Sequence, residues 1–302
     1  PTLQEICQDS IHGILKKTED PERIISAADL TQSMALDVTW KQILGLDFTT
    51  PAEIRTFHEQ THIWLRGMYS PAGSPEMEAT LQAREYLVKA IEDKIQTVLK
   101  KGKSDGSTVG GLVFAALDDN GDDNEQSDRT LSKEEVVDNV LLLILAGTEV
   151  TSSTIANAML LLGLHPDAWN KVVKEQEVLV QEHGEALSKD LLDNNCPYLE
   201  AVIHETMRIL PVTLVSRREA KETMLVEGVQ IPQGWGVSYN IYLTHQHAIQ
   251  DEPDHMDLLK GFQPDRWLPN SSKTRPAAVD YIPFGAGPRH CPGETLAWVE
   301  MK

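Results

Sequence analysis

The feature that most constrains this chain is the proline-free run from Ser132 to Gly163. Ser132-Lys133-Glu134-Glu135 has the form of a capping box, with Ser132 as N-cap and Glu135 at N3, so a helix is expected to begin there. It runs to about Gly163, before His165-Pro166, a length of roughly 45 Å at 1.5 Å per residue. A rod of that length crosses a whole domain, and the rest of the chain must pack along it. Its middle, Ala146-Gly147-Thr148-Glu149-Val150-Thr151-Ser152-Ser153, interrupts the apolar pattern with small and polar residues. A glycine there costs about 1 kcal/mol relative to alanine, and Ser or Thr can bend the helix by bonding back to it. Two readings fit: close helix packing, or a groove where a ligand lies against the helix.

A second stretch, Phe284-Gly285-Ala286-Gly287-Pro288-Arg289-His290-Cys291-Pro292-Gly293, holds one cysteine among three glycines and two prolines. The glycines allow a sharp turn and a close backbone approach. Leu296 to Glu300 reads as the start of a helix, and a cysteine just before a helix N-terminus is favoured as thiolate. Such a thiolate suits haem iron as an axial ligand; the plainer reading is a buried structural cysteine. Cys196-Pro197 is a rival ligand, but it lacks the glycines and the preceding arginine. Phe284-x-x-Gly287-x-Arg289-x-Cys291-x-Gly293 resembles, at every fixed position, the haem-binding signature of the cytochrome P-450 (haem-thiolate monooxygenase) family. Ala146-Gly147-x-Glu149-x-Thr151 resembles the oxygen-binding segment of the same family.

The resemblance implies a mainly α fold with a minor β-sheet, a single domain over 1–302. It implies haem b held by Cys291, with Phe284, Gly287 and Gly293 shaping the loop. Arg218, in Arg218-Glu219-Ala220, and Arg289 would pair the propionates, as an arginine fork binds carboxylates; an ordinary exposed arginine is the other reading of Arg218. Ala146 and Gly147 would leave room for dioxygen, and Glu149 and Thr151 would serve proton delivery. Glu205-x-x-Arg208 and Arg266, in Phe262-Gln263-Pro264-Asp265-Arg266-Trp267, would form a buried triad that locks the fold. Gly45-Leu46-Asp47 and Ala83-Arg84 look most like the branch of retinoid and sterol or brassinosteroid hydroxylases. The implied partners are a small lipophilic substrate and a reductase or ferredoxin passing NADPH-derived electrons. One departure stands out: position 150 carries valine where most monooxygenase members carry threonine. Oxygen-independent isomerase or lyase chemistry, or a non-catalytic fragment, are the competing expectations.

Composition narrows the rest. With 46 acidic and 27 basic residues the net charge is −19, which argues against nucleic acid as a partner. Three cysteines without a CxxC pair fit a reducing, intracellular compartment better than a disulfide scaffold. No uninterrupted apolar stretch reaches the roughly 18 residues of a membrane span. A membrane anchor, at the endoplasmic reticulum if present, would precede Pro1; both ends read as cut. Asp118-x-Asn120-x-Asp122 begins like a calcium loop, but Asp123 and Arg129 stand where glycine and glutamate are needed. His245-x-His247 and His255 lack the companions of a metal site, and Gly285-x-Gly287 lacks the Lys-Ser/Thr of a phosphate loop.

Along the chain, Leu3 to Leu15, Asp29 to Leu46, Pro51 to Tyr69 and Met77 to Lys101 are expected helices, with Phe57, Trp64, Met68 and Tyr69 in the core. Lys103 to Thr130 reads as a solvated loop. Pro166 to His183 and the segment opened by Pro197 are further helices, and the clearest strands lie between Glu222 and Tyr242.

Overall fold

The computed structural model describes residues 3–18, 24–117 and 131–302. The calcium-loop test on 118–129 therefore falls outside the described residues. The described chain is mostly helical and gathers into two compact units, Pro1–Glu149 and Val150–Lys302.

The first unit contains α1 (Leu3–Thr18), α2 (Ala27–Val38), a π-helical turn at Thr39–Leu44, α3 (Pro51–Gly67), α4 (Pro75–Lys101), α5 (Thr108–Leu117) and the first half of α6 (Lys133–Leu164). Local chemistry sets the ends. Thr50 caps α3 through a reciprocal box with Glu53, and Ser74 caps α4 by accepting from Met77 N–H. Gly45 and Gly102 close their helices at φ 60° and 62°, a backbone region that side chains disfavour. Gly67 meets a tighter demand: a Cβ there would fall 1.7 Å from Thr80 Oγ1, so α3 and α4 touch through a residue without a side chain. Leu36, Phe57, Leu87, Ile91, Ile95, Val140 and Ile144 fill the core.

Two expectations here need correction. The segment from Lys103 does not remain a solvated loop: Thr108–Leu117 forms α5, and Val109 and Val113, four residues apart, enter the core. The paired glycines 110 and 111 obscure that apolar face in the sequence. Buried Lys94 holds the approach to α5 through Asp105, 2.5 Å away, and its hydrogen bond helps hold the Asp105 carboxyl down at about 2 despite partial burial. Tyr69 is 91% exposed, lying past the end of α3 where helical periodicity no longer governs.

The second unit contains the rest of α6, then α7 (Pro166–His183), α8 (Lys189–Asn195), α9 (Pro197–Ile209), β1 (Val215–Glu219), β2 (Met224–Val226), β3 (Val229–Ile231), β4 (Gly236–Asn240), α10 (Ile241–His247) and α11 (Glu294–Met301). Short 3₁₀ turns occupy Pro264–Trp267 and Gly287–Arg289. Among the described residues the minor β structure is two antiparallel pairs, β1 with β4 and β2 with β3. In the first pair Ser216 stands opposite Tyr239 and Arg218 opposite Val237. Neither α8 nor β1 is apparent from sequence periodicity. Leu161, Leu162, Tyr198, Val202, Ile209 and Phe262 make its main apolar cluster.

Helix α6 is long and apolar enough, by length and composition, to cross a membrane, although no unbroken apolar run in it is that long. Val136, Val140, Ile144, Thr148, Thr151, Thr154 and Leu161 are buried along it, while Leu142, Met159, Leu160 and Leu164 are exposed. Ser132 does cap it: Glu135 N–H donates to Ser132 Oγ at 3.2 Å, and Ser132 N–H donates to the Glu135 carboxylate at 2.7 Å. Replacing Ser132 with alanine is expected to lower stability by about 1 kcal/mol, read as a shift in the urea midpoint at unchanged slope.

Candidate functional site

The site is built from the loop that carries Cys291. Gly285 and Gly287 adopt φ of 75° and 68°, turning the chain back on itself. Cys291 N–H then donates to Phe284 C=O at 2.9 Å and closes the loop. Phe284 stands 6.2 Å, ring to ring, from Trp298 of α11, which fixes the loop's first residue to the helix that follows. His290 bridges Glu294 at 2.5 Å, and that carboxylate raises the imidazole's affinity for a proton. The cysteine itself is half-buried, while Arg289, Pro292 and Gly293 are exposed around it. A Cβ added at Gly287 would meet nothing within 4 Å, so this side of the loop is open.

Arg218 sits on β1 near the same loop. It lies over the Tyr239 ring at 5.7 Å and donates to Ser216 Oγ at 2.9 Å. The Tyr239 hydroxyl is in turn 3.7 Å from where a Cβ of Gly285 would stand. Tyr239, which sequence reasoning did not single out, therefore links the arginine to the cysteine loop. Cys196 differs in kind: it is fully buried beside Gln176, and burial pushes its thiol up. Haem fits the Cys291 donor set: a soft sulfur on an open face, with two exposed arginines available for carboxylates.

The triad expected from sequence is assembled as a geometric unit. Glu205, Arg208 and Arg266 are essentially without solvent exposure. Arg208 donates to both Glu205 oxygens at 2.9 and 2.8 Å, and Arg266 Nε donates to Glu205 Oε1 at 3.0 Å. Two partners are new. Trp267 Nε1–H donates to Glu205 Oε2 at 2.8 Å, and Glu252 takes Arg266 Nη2 at 2.9 Å. Trp267 stood inside the quoted Phe262–Trp267 motif; Glu252 had no local signal. Arg208 also reaches the carbonyls of His255 and Gly261, tying the loop before Phe262 to α9. A Cβ on Gly261 would lie 2.4 Å from Asp254 O, so only glycine fits there.

In the first unit, Glu149 accepts a hydrogen bond from Gln32 Nε2 of α2. Gly147 packs against Thr39 and Ile43 of the π-helical turn, at 3.1 and 3.2 Å from its notional Cβ. Thr148 is buried and shares a 3.3 Å hydroxyl contact with Thr39. Helix packing thus uses Gly147 and Thr148. Ala146 and Val150, one helical turn apart, are exposed together, whereas Thr151 is buried in the second unit. Residues one position apart on a helix differ by about 100°, which separates the Thr151 hydroxyl from the valine's face.

His245 is enclosed: its Nε2 accepts from Ile282 N–H at 3.0 Å, and burial drives its pKa from 6.5 to about 4. No group of three or more metal-ligating side chains occurs among the described residues.

Two tests follow from this chemistry. Glu205→Ala would leave the buried Arg208 guanidinium without a carboxylate and Arg266 with Glu252 alone, and cost about 3–5 kcal/mol, measured by denaturant unfolding against wild type. His245 takes up a proton near 6.5 when unfolded but only near 4 when folded, so its neutral fold is unpenalised above 6.5 and loses stability as pH falls toward 4. His245→Asn should flatten that part of the stability–pH curve.

The Cytochrome P450 family model matches residues 2–302. A Synechocystis sp. protein described as cytochrome P450 120 is 31% identical over 97% of this chain and 62% of its own length. Cytochrome P450 26A1 of Danio rerio is 32% identical over 74% of this chain and 44% of its own. The solved structure of a cyanobacterial CYP120A1 with retinoic acid bound superposes with a TM-score of 0.78 at 27% identity, covering 99% of this chain and 64% of that one. The chain thus spans less than two thirds of the length of each of these relatives.

Proposed function

The chain belongs to the cytochrome P450 family, and from that premise we propose that it serves a haem-thiolate monooxygenase that inserts one oxygen atom from dioxygen into a small lipophilic substrate of retinoid or sterol type. The observation that carries this reading is the closed glycine loop that presents a half-buried Cys291 on an open face. The retinoic acid bound to the CYP120A1 relative supports the substrate class. We read residues 1–302 as one family domain, in keeping with the extent of the family match.

Haem b bound through the Cys291 thiolate would supply the redox iron that activates dioxygen, fed by NADPH-derived electrons from a reductase or ferredoxin. The residues of this chain do the rest. Cys291 donates the sulfur, its amide bonded to Phe284 C=O so that the backbone fixes where the sulfur stands. Arg218 and Arg289 hold carboxylates by charge-assisted hydrogen bonds. Glu149 serves the proton-delivery path, and Gln32 Nε2 orients its carboxylate.

A second reading rests on Val150. It offers no hydroxyl on its exposed face, Thr148 is engaged with Thr39, and Thr151 is buried. Proton delivery that depends on an alcohol at that position is missing, which favours an oxygen-independent isomerase or lyase acting on peroxides.

The deciding experiment is the ferrous–CO absorption spectrum of the chain loaded with haem, beside that of Cys291→Ser. A red-shifted thiolate-type Soret band that disappears in the variant is expected. An unchanged band in Cys291→Ser would overturn the assignment of the ligand. Restoring the hydroxyl with Val150→Thr should increase substrate oxygenation per electron consumed; turnover of a hydroperoxide without any reductase would instead select the second reading.

A further inference from the structure

The first unit holds a cavity of about 390 Å³ that the site chemistry above does not use. That volume falls within the range of small-ligand pockets. One wall is a face of α4, where Tyr86, Lys89, Asp93 and Lys94 recur at helical spacing. Asp47, Phe48 and Glu53, from the stretch between the π-helical turn and the first turn of α3, form the other. Phe48 is set between Trp40 and Phe57, with ring centroids 5.3 and 5.1 Å away, so its ring is held in place. Tyr86 is half-buried, and burial together with the Glu53 carboxylate raises its phenol above the ordinary pKa. It is therefore a neutral ring with an anion close by. Among the described residues, the lysines and arginines that lie over aromatic rings use Trp40, Tyr198, Tyr239, Trp267 and Trp298. Neither Phe48 nor Tyr86 has its face occupied by a cation of this chain.

The charges around the cavity favour a cation. Asp47, Glu53 and Asp93 line it, against Lys89 and Lys94. Lys94 is already matched: its Nζ lies 2.5 Å from Asp105 and 3.7 Å from Asp47. Counting Asp105, four carboxylates meet two ammonium groups. Lys89 is exposed, so its charge is screened by solvent. The Thr50 and Thr49 amides donate to Glu53 at 2.8 and 3.0 Å and hold its carboxyl below the ordinary pKa, so it is an anion at neutral pH. These carboxylates do not converge on a point, since no group of three or more metal-ligating side chains occurs among the described residues. A bare metal ion would not find its ligands there. A larger cation, its charge spread over alkyl groups, touches aromatic faces and carboxylates at once.

We propose that this cavity binds a small alkylammonium cation of the choline class, with its charge against the Phe48 and Tyr86 rings and balanced by Asp47, Glu53 and Asp93. The occupant is the free cation. In a lipid headgroup the phosphodiester beside the ammonium would face the same carboxylates and be repelled by them. The site goes beyond the monooxygenase reading, lies within the first unit and uses no residue of the cysteine loop.

The test needs no haem, so its outcome is independent of whether Cys291 is the iron ligand. Choline chloride is titrated into the full isotope-labelled chain and followed by amide chemical shifts, beside its neutral isostere 3,3-dimethylbutan-1-ol. Saturable shifts confined to Phe48, Tyr86, Asp93 and their neighbours are expected, with the alcohol bound about fivefold more weakly. Asp47→Asn combined with Asp93→Asn, both at exposed positions, should weaken choline binding about fivefold and remove most of its salt dependence, while leaving the alcohol unaffected. Equal affinity for choline and the alcohol would overturn the proposal, because the cavity would then recognise shape and apolarity alone. So would unchanged choline affinity in the double variant, or shifts spread over the surface without saturation. Binding to phosphatidylcholine vesicles with none to free choline would overturn it as well.

Discussion

Most of the second unit depends on the electrostatics of one carboxylate. A buried Glu205 alone would be prohibitively costly, and so would either buried arginine. Together they meet in a geometry where two guanidinium groups, an indole N–H and the Gln263 backbone amide saturate the two oxygens. The partners come from α9, from the 3₁₀ turn at Pro264–Trp267 and, through Glu252, from the loop before it. Burying charge in this way does little for net stability compared with an apolar core of the same volume. Its contribution is specificity: planar forks accept only a narrow range of approach angles. The segment from His255 to Thr274, almost without regular structure, is thereby held against α9, and Tyr281 and the cysteine loop follow from its end.

The same network bears on the aromatic cluster. Trp267 gives its N–H to Glu205 and its ring face to His204, so the anchor of the fold and the aromatic cluster of His204, Trp267 and Tyr281 share a side chain.

Much of this was legible in the sequence, for identifiable reasons. The start of α6 was readable because its cap is local: Ser132 and Glu135 lie three residues apart. The cysteine loop was readable because Gly285 and Gly287 meet positive φ, a demand of the backbone itself. What escaped depended on distant partners. Helix α5 owes its existence to burial of Val109 and Val113 against other helices, and its glycines hide that in one dimension. Tyr239 beneath Arg218 depends on strand register, which sequence does not fix without the partner strand. The small residues of α6 were ambiguous because packing and ligand binding call for the same side chains; Gly147 and Thr148 prove to be in contact with the π-helical turn.

The span of the Glu205 network also bears on how the chain is made. Arg208 follows Glu205 by three residues, whereas Arg266 and Trp267 follow it by 61 and 62. At a synthesis rate of about 5–20 residues per second, the glutamate waits about 3–12 s between its first cation and its second. Through that interval α9 carries a carboxylate whose burial is incomplete, beside apolar residues that favour burial. The nascent chain is thus held open at this point until the stretch that leads toward Cys291 has been synthesised, so the cysteine loop is laid down on an anchor completed only moments before it.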